Sequence, residues 1–441
     1  MDNKVTFQRL GILLAYPLAY SYIRLIFNSA DVSEMGPEIF NGKLTIALTY
    51  PVFALLFILA NEIIRRGRRG EKSLPGKETL FWYSMTFLAG LTATVGPALE
   101  LSLFAMHLCG VYSVLMSNGI LLGGKTSGFI PADLIHGFYV KSFAGFPNYV
   151  VDWKCFKKPA SDGDAPAAQK KSVLGAVIFI FVMVVLLIIS VSLMSSIDED
   201  LGDFFSVIFR DLEDYLTELK MYEIIPRLIF AVPVCFYLYG LMSRSARSDG
   251  AREKRFASRL TSFMGRGKTA SAIVVYIAAG VFVLAYILFF IKRLAYMMGG
   301  FSGDVPEGML VSHYAREGFF ELVGIMAVNM CVYLAIILFG KTDQDGKFSV
   351  PAKILVTLLM VESIIFAVIA MSKLGLYYSI YGYTPKRILA MWATLALGFA
   401  AGLTIATIHR GKPHFRAGVI FTSVSYIAIC ILSGVLVAAG A

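Results

Sequence analysis

Two carboxylates raise the question of chemistry. In "SHYAREGFFELVGI" (Ser312–Ile325), Glu317 and Glu321 stand four residues apart. On a helix that spacing places them on one face. In a dry setting two such groups repel, and the repulsion calls for a proton or a cationic partner. A third carboxylate, Glu362, sits midway along the apolar run "LLMVESIIFAVIAMSKL". A carboxylate at that depth of a membrane costs roughly 2.5–3.5 kcal/mol on insertion scales, so it should face the interior of a bundle. The next stretch, "LYYSIYGYTPKRILAMW", gathers Tyr377, Tyr378, Tyr381, Tyr383, Lys386, Arg387 and Trp392. Gly382 turns the chain there, and Thr384 stands where it can cap a helix opened by Pro385, with Arg387 in the first turn. The expectation is a polar network of Tyr314, Arg316, Glu317, Glu321, Glu362, Tyr378, Tyr381, Thr384 and Arg387. In it Glu321 or Glu317 pairs with Arg387, and Arg316 serves the other acid. Two readings are open: ion pairs that lock helices together, or a polar pocket opening outward with Glu362 beneath it. Interfacial anchoring of Tyr and Trp accounts for part of the aromatic cluster.

Other motifs carry less. "GILLGGKT" (Gly119–Thr126) has the spacing of a phosphate-binding loop. Such a loop needs a strand before it and backbone N–H groups turned to phosphate. Here Ile120, Leu121 and Leu122 fill it and close an apolar run, so a helix end followed by a turn is expected. His107 and His136 are isolated, and no His-x-x-x-His pair occurs. His107, mid-span, either lines a polar path or bonds a neighbouring helix. The five cysteines have no metal or redox spacing. "GFAAG" (Gly398–Gly402) fits a small-residue helix contact. No catalytic residue, cofactor or metal ligand is assigned.

The elements that must position these residues follow from composition. Of 441 residues, 57% are hydrophobic and 16% charged, against about 25% charged in soluble domains. Eleven apolar runs are long enough to suggest spans: Leu10–Phe27, Leu44–Ile64, Leu80–Val95, Leu101–Leu122, Val173–Leu193, Leu228–Met242, Ala270–Ile291, Phe319–Phe339, Ile354–Met371, Ile388–Ile408 and Ala417–Ala438. Basic residues cluster after the second, fourth, sixth and tenth runs, while the loops Asp31–Lys43 and Ser195–Glu223 are acidic. That alternation places the N-terminus in the cytoplasm and the C-terminus outside. The expected fold is therefore an all-α polytopic transmembrane bundle of about eleven spans, with a retained first helix. It is organised as four spans (1–122), a cytoplasmic interfacial segment and linker (123–172) and a seven-span part (173–441).

The net charge of +10 is explained by the positive-inside rule and by anionic inner-leaflet lipid, so no nucleic-acid partner is expected. Helical spacing of Phe205, Leu212 and Leu216 predicts an outer helix over 198–222. That helix is read either as a cap on the outer mouth of the bundle or as a solvated connection, and it or the basic cytoplasmic loop 244–268 would take a protein partner in a regulatory protein; a small-molecule ligand is left unknown.

"YAREGFFEL" (Tyr314–Leu322), a Glu-containing span and "YSIYGYTPKRILAMW" (Tyr378–Trp392) together resemble bacterial polytopic membrane proteins of the domain-of-unknown-function families 4173 and 4153. The resemblance covers roughly Val173 to the C-terminus, and the first four spans more loosely. It implies a bacterial inner-membrane protein and carries over no catalytic residue. Three function classes follow: a non-enzymatic sensor or regulatory protein, favoured because no internal repeat is apparent; a secondary transporter, which needs a broken helix and a midplane cavity; and a membrane enzyme, which needs a water-accessible acid or base beside a groove.

Overall fold

The computed structural model describes residues 3–27, 48–69, 75–95, 98–157, 183, 224–303, 305, 308–341 and 348–438. The expected span Val173–Leu193 (Met183 aside), the linker before it and the expected helix at 198–222 lie outside them. The described residues are helical throughout, apart from turns and one isolated parallel bridge between Ala270 and Gly340. Two compact units form. One comprises Met1–Thr94, Leu103–Gly124 and Pro131–Gly250; the other comprises Val95–Ser102, Lys125–Ile130 and Ala251–Ala441.

The first unit is built from α1 (Asn3–Phe27), α2 (Thr49–Arg69), α3 (Lys77–Val95), α4 (Leu99–Ser117), α5 (Ile130–Ile135), a π-helical stretch (His136–Lys141), α6 (Ser142–Lys157) and α7 (Ile224–Ala246). Helix α7 packs against α1, α2 and α6. The α6–α7 approach is close enough to require glycine: a Cβ on Gly240 would lie 3.0 Å from the carbonyl carbon of Gly145. This is the small-residue contact that lets helices in lipid pack backbone to backbone. The segment expected along the membrane interface thus forms helices that pack on α7, while Ile135, Tyr139, Val140 and Phe143 stay exposed.

The second unit is built from α8 (Ala251–Arg266), α9 (Ala272–Ser302), α10 (Val311–Phe339), α11 (Val350–Tyr381), α12 (Pro385–Arg410) and α13 (Phe415–Ala438). Helix α11 is central and packs against α9, α10 and α12, and α12 packs against α13. Its interior has two apolar layers. Val275, Val283, Tyr333, Leu359 and Met360 belong to one; Met297, Phe319, Met326, Phe366 and Leu374 belong to the other.

Among the described residues, helices occupy ten of the eleven expected positions, and eight are long and apolar enough to cross a membrane: α1, α4, α7 and α9–α13. Helix α2 falls outside that set because Asn61, Glu62, Arg65 and Arg66 crowd its C-terminal half. Helix α3 is diluted by Thr79, Ser84, Thr86, Thr92 and Thr94. On α9 the residues Ile277, Val281, Leu284, Leu288 and Ile291 form an exposed stripe at helical spacing. Exposed apolar surface of that extent fits hydrocarbon rather than water.

The basic ends of α2 and α7 are tied to acids and carbonyls. Asp152 of α6, 6% exposed, is paired with Arg68. It accepts from the Arg247 guanidinium at 2.5 and 2.7 Å and from the Tyr239 hydroxyl at 2.7 Å. Arg69 donates to the carbonyls of Asn118, Ala246 and Ser248. Removing one partner of a buried ion pair leaves the other charge uncompensated, at about 3–5 kcal/mol. Asp152→Ala, which leaves Arg68 and Arg247 facing each other, is expected to lower stability by that order. Arg247→Ala, which keeps the Arg68 pair, should lose less. Thermal unfolding in detergent measures both, and an unchanged midpoint for Asp152→Ala would remove the clamp from the account.

Candidate functional site

Helix α10 begins at Val311, so the polar run Ser312–Gly318 forms its first two turns and Glu317 and Glu321 share a face as expected. Their partners differ from those expected. Glu317 meets His313 on its own helix, with Nδ1 3.1 Å from Oε2 and both side chains half exposed. Arg316 and Glu321 are exposed and make no ion pair among the described residues. Arg387 pairs with neither acid. Its guanidinium lies 4.0 Å from the ring centroid of Tyr377 and donates to the carbonyls of Tyr381 and Gly382 at 2.9 and 2.5 Å. The reason is local. Gly382, at φ +71°, folds the first turn of α12 back onto the end of α11. Arg387 then reaches the last carbonyls of α11, where a cation also suits the helix dipole. Pro385 opens α12 with Thr384 at the N-cap position, but the threonine side chain makes no capping hydrogen bond. Tyr378 and Tyr381 are exposed.

The buried cation of this unit is Lys373, which the expected network lacked. It lies on α11 eight residues before the helix ends, about 12 Å along the axis. It is 1% exposed, and its Nζ has no hydrogen-bond partner among the described residues. The ammonium stands 3.9 Å from the ring centroids of both Tyr296 (α9) and Tyr314 (α10). The two rings meet edge to face at 5.0 Å, and the Tyr314 hydroxyl donates to the Tyr296 carbonyl at 2.6 Å. An aromatic face attracts a cation through its quadrupole, by about 2 kcal/mol or more where water is excluded. Two glycines admit the lysine stem. A Cβ on Gly318 would lie 2.8 Å from Lys373 Cδ, and one on Gly300 would lie 3.1 Å from Lys373 Cγ.

Glu362 lies on the same α11 face as Phe366 and Lys373, 11 residues or about 16 Å before the lysine. It is 7% exposed, and its Oε2 has no hydrogen-bond partner. Beside it Asn329 donates to the Ser363 hydroxyl at 2.8 Å, and Ser363 donates to the Leu359 carbonyl at 3.0 Å. These three polar residues form a belt between the two apolar layers. Glu362 is therefore separate from the exposed acids Glu317 and Glu321 and from Arg387. A groove of about 890 Å³ between α9, α11 and α12 is lined by Gly300, Ala367, Val368, Met371, Leu395 and Phe399 among others, and neither Glu362 nor Lys373 lines it.

The loop Gly119–Thr126 is a turn between helices, with Gly119 and Gly124 at positive φ and Ile120, Leu121 and Leu122 buried. The backbone N–H of Leu122 donates to the buried Asp133 carboxylate at 2.8 Å. Burial pushes the Asp133 carboxyl up to about 6, against the opposing pull of that N–H. His107 bonds two neighbouring helices: Nδ1 lies 2.9 Å from the Tyr22 hydroxyl and Nε2 lies 3.1 Å from the Tyr237 hydroxyl. Among the described residues no group of three His, Cys, Asp or Glu side chains forms a metal site. A Cβ on Gly398 would lie 3.2 Å from the Ala367 Cβ, whereas one on Gly402 would meet open space.

Residues 79–439 match the family model described as domain of unknown function DUF4153. The chain belongs to this family. The matched region runs from α3 through α13, so in this DUF4153 chain it takes in the stretch from Val173 onward, whose likeness the sequence carries, and two of the four expected spans that resemble the family more loosely. No curated protein and no solved structure matches it.

Two outcomes test these assignments. Lys373→Met and Tyr296→Leu, combined in a double-mutant cycle of unfolding in detergent, should show a coupling of about 2 kcal/mol. Additive losses would mean that the ring does not hold the cation. For Asp133, the unfolded carboxyl titrates near 3.9. A raised folded value favours the protonated form, so the stability it contributes is full below about pH 4 and lost as pH rises through about 6. Asp133→Asn should accordingly match the wild type near pH 4 and exceed it by roughly 3 kcal/mol at pH 8. A pH-independent difference would refute the burial.

Proposed function

We propose that this DUF4153 chain is a non-enzymatic sensor or regulatory protein of the bacterial inner membrane, multi-pass, with its N-terminus in the cytoplasm and its C-terminus outside. The supporting observation is that Glu362 and Lys373, ionisable groups set deep in α11, are enclosed by packed side chains. The groove of about 890 Å³ does not reach either of them. Transport would need a polar cavity leading to such groups; enzymatic chemistry would need an acid or base open to substrate. Helices α9–α12 also run without a break of the kind that transporters place around a midplane site. The basic ends and the resemblance around Tyr314–Trp392 support the orientation and the bacterial setting.

A charge without a partner inside a bundle is a natural bistable element, because a small rearrangement of the helices changes its solvation. Glu362 with its free Oε2, and Lys373 held only by ring faces, supply that element in the second unit. Secondary transport is the second reading, favoured by the same unpartnered Glu362, since intramembrane carboxylates mark ion paths.

Reconstituted protein separates the two. Capacitive or steady currents on a solid-supported membrane after a proton or sodium jump, abolished in Glu362→Gln, would establish transport and end the regulatory reading. The expected result is no current from either protein. At the same time Glu362→Gln should change hydrogen exchange in α10 and α11 by several-fold.

A further inference from the structure

Helix α8 (Ala251–Arg266) differs from every other long helix of its unit. Its sequence, AREKRFASRLTSFMGR, combines five exposed basic residues with two exposed phenylalanines: Phe256 at 48% and Phe263 at 74%. At 100° per residue, Phe256 and Phe263 fall within about 20° of each other, and Arg252, Arg255, Arg259 and Arg266 fall on one adjoining arc of about 60°. The opposite flank, with buried Glu253 and half-buried Ala257, Leu260 and Met264, is the one turned toward protein, and α8 packs against α10. The exposed face is thus a strip of aromatic rings bordered by guanidinium groups.

The backbone fixes the level at which this strip lies. Five residues separate Arg266 from the start of α9. Within them, the Ala270 N–H donates to the Phe339 carbonyl at the end of α10, and the Lys341 N–H donates to the Ala270 carbonyl, both at 2.9 Å. This bridge pins the linker where α9 begins and α10 ends, which is the depth at which apolar spans give way to headgroups. Lys268, Lys341, Lys353, Arg410, Lys412 and Arg416 occupy the corresponding ends of the helices of this unit. Of the acids beside the strip among the described residues, Glu253 is buried and Asp249, exposed, stands two residues before α8 begins.

We propose that α8 lies flat on the membrane and binds anionic lipid, with Phe256 and Phe263 entering the acyl boundary and Arg252, Arg255, Arg259 and Arg266 on the phosphates. Charge complementarity selects this partner. A basic strip at headgroup level meets an anionic surface, and the two rings sit where an amphipathic helix inserts apolar groups. A zwitterionic surface offers the rings a place but leaves the arginines without counter-charge. The proposal needs only the membrane setting and is independent of whether the protein senses or transports.

The full chain tests it in vesicles of phosphatidylcholine alone and with phosphatidylglycerol. Brominated acyl chains should quench the indole introduced by Phe263→Trp, over the background of Trp82, Trp153 and Trp392, more strongly when phosphatidylglycerol is present. Amide exchange across 251–266 should slow by about tenfold on adding phosphatidylglycerol, and by less than about twofold in the Arg252→Gln/Arg259→Gln/Arg266→Gln variant. These side chains are exposed, so the variant should keep the wild-type unfolding midpoint; exchange elsewhere in α9 and α10 serves as the internal check on its fold. Equal quenching and equal exchange in both lipids would overturn the proposal. So would slowing that appears only on adding soluble polyglutamate, which would assign the strip to an acidic protein.

Discussion

An ammonium group inside an apolar bundle cannot be solvated by what surrounds it, and much of the second unit can be traced to how Lys373 is held. Among the described residues no carboxylate forms an ion pair with it. Two tyrosine faces from two different helices take the charge, each 3.9 Å away. That solution imposes conditions on the neighbours. Glycine at position 300 on α9 leaves room for Ser372 and the Lys373 backbone, and glycine at position 318 on α10 leaves room for the lysine stem. The rings must come from α9 and α10, so α11 has to stand against both. The lysine therefore specifies a three-helix arrangement that apolar packing alone would leave free to slide, since dispersion between aliphatic side chains is indifferent to small shifts. Specificity from a buried polar group is a well-attested use of such residues, even where they add little stability.

The first unit meets the same constraint with different chemistry. Its helix ends are held by part-buried arginines, whose planar forks can satisfy several acceptors at once. Arg69 spans three carbonyls at the ends of α4 and α7, while Arg68 and Arg247 share one aspartate. Basic residues that the positive-inside rule would explain as topology signals are also the fastenings of the helix ends. A guanidinium suits the second role because a helix C-terminus leaves its last carbonyls without intrahelical partners.

Between the two apolar layers of the second unit, the Asn329–Ser363–Glu362 belt is the least satisfied part of the interior. Glu362 Oε2 and Asn329 Oδ1 both lack partners. Buried polar groups are nearly always paired, and the exceptions are often sites of catalysis, strain or bound ligand. In the regulatory reading, this belt is where the helices are most easily persuaded to repack. The layers on either side remain tightly filled, with Phe290 stacked on Phe366 at 4.8 Å.

Much of the architecture was legible in residue order. Apolar runs at the length of a bilayer determine helices, because backbone groups in hydrocarbon can be satisfied only within the helix. The turn at Gly382 and the opening of α12 at Pro385 were equally local, since φ preferences are properties of single residues. The depth of Glu362 and the shared face of Glu317 and Glu321 followed from counting. The partners did not. Arg387 was expected to reach an acid on α10 and instead caps its own hairpin, because nearby carbonyls outcompete a distant carboxylate. Lys373 stood in plain view in "IAMSKLGLYY", a cation inside an apolar run. Its cage is built from residues 77 and 59 positions earlier in the chain. Which ring faces meet an ammonium depends on how three helices rotate about their axes, and that rotation belongs to the packed bundle rather than to any one segment.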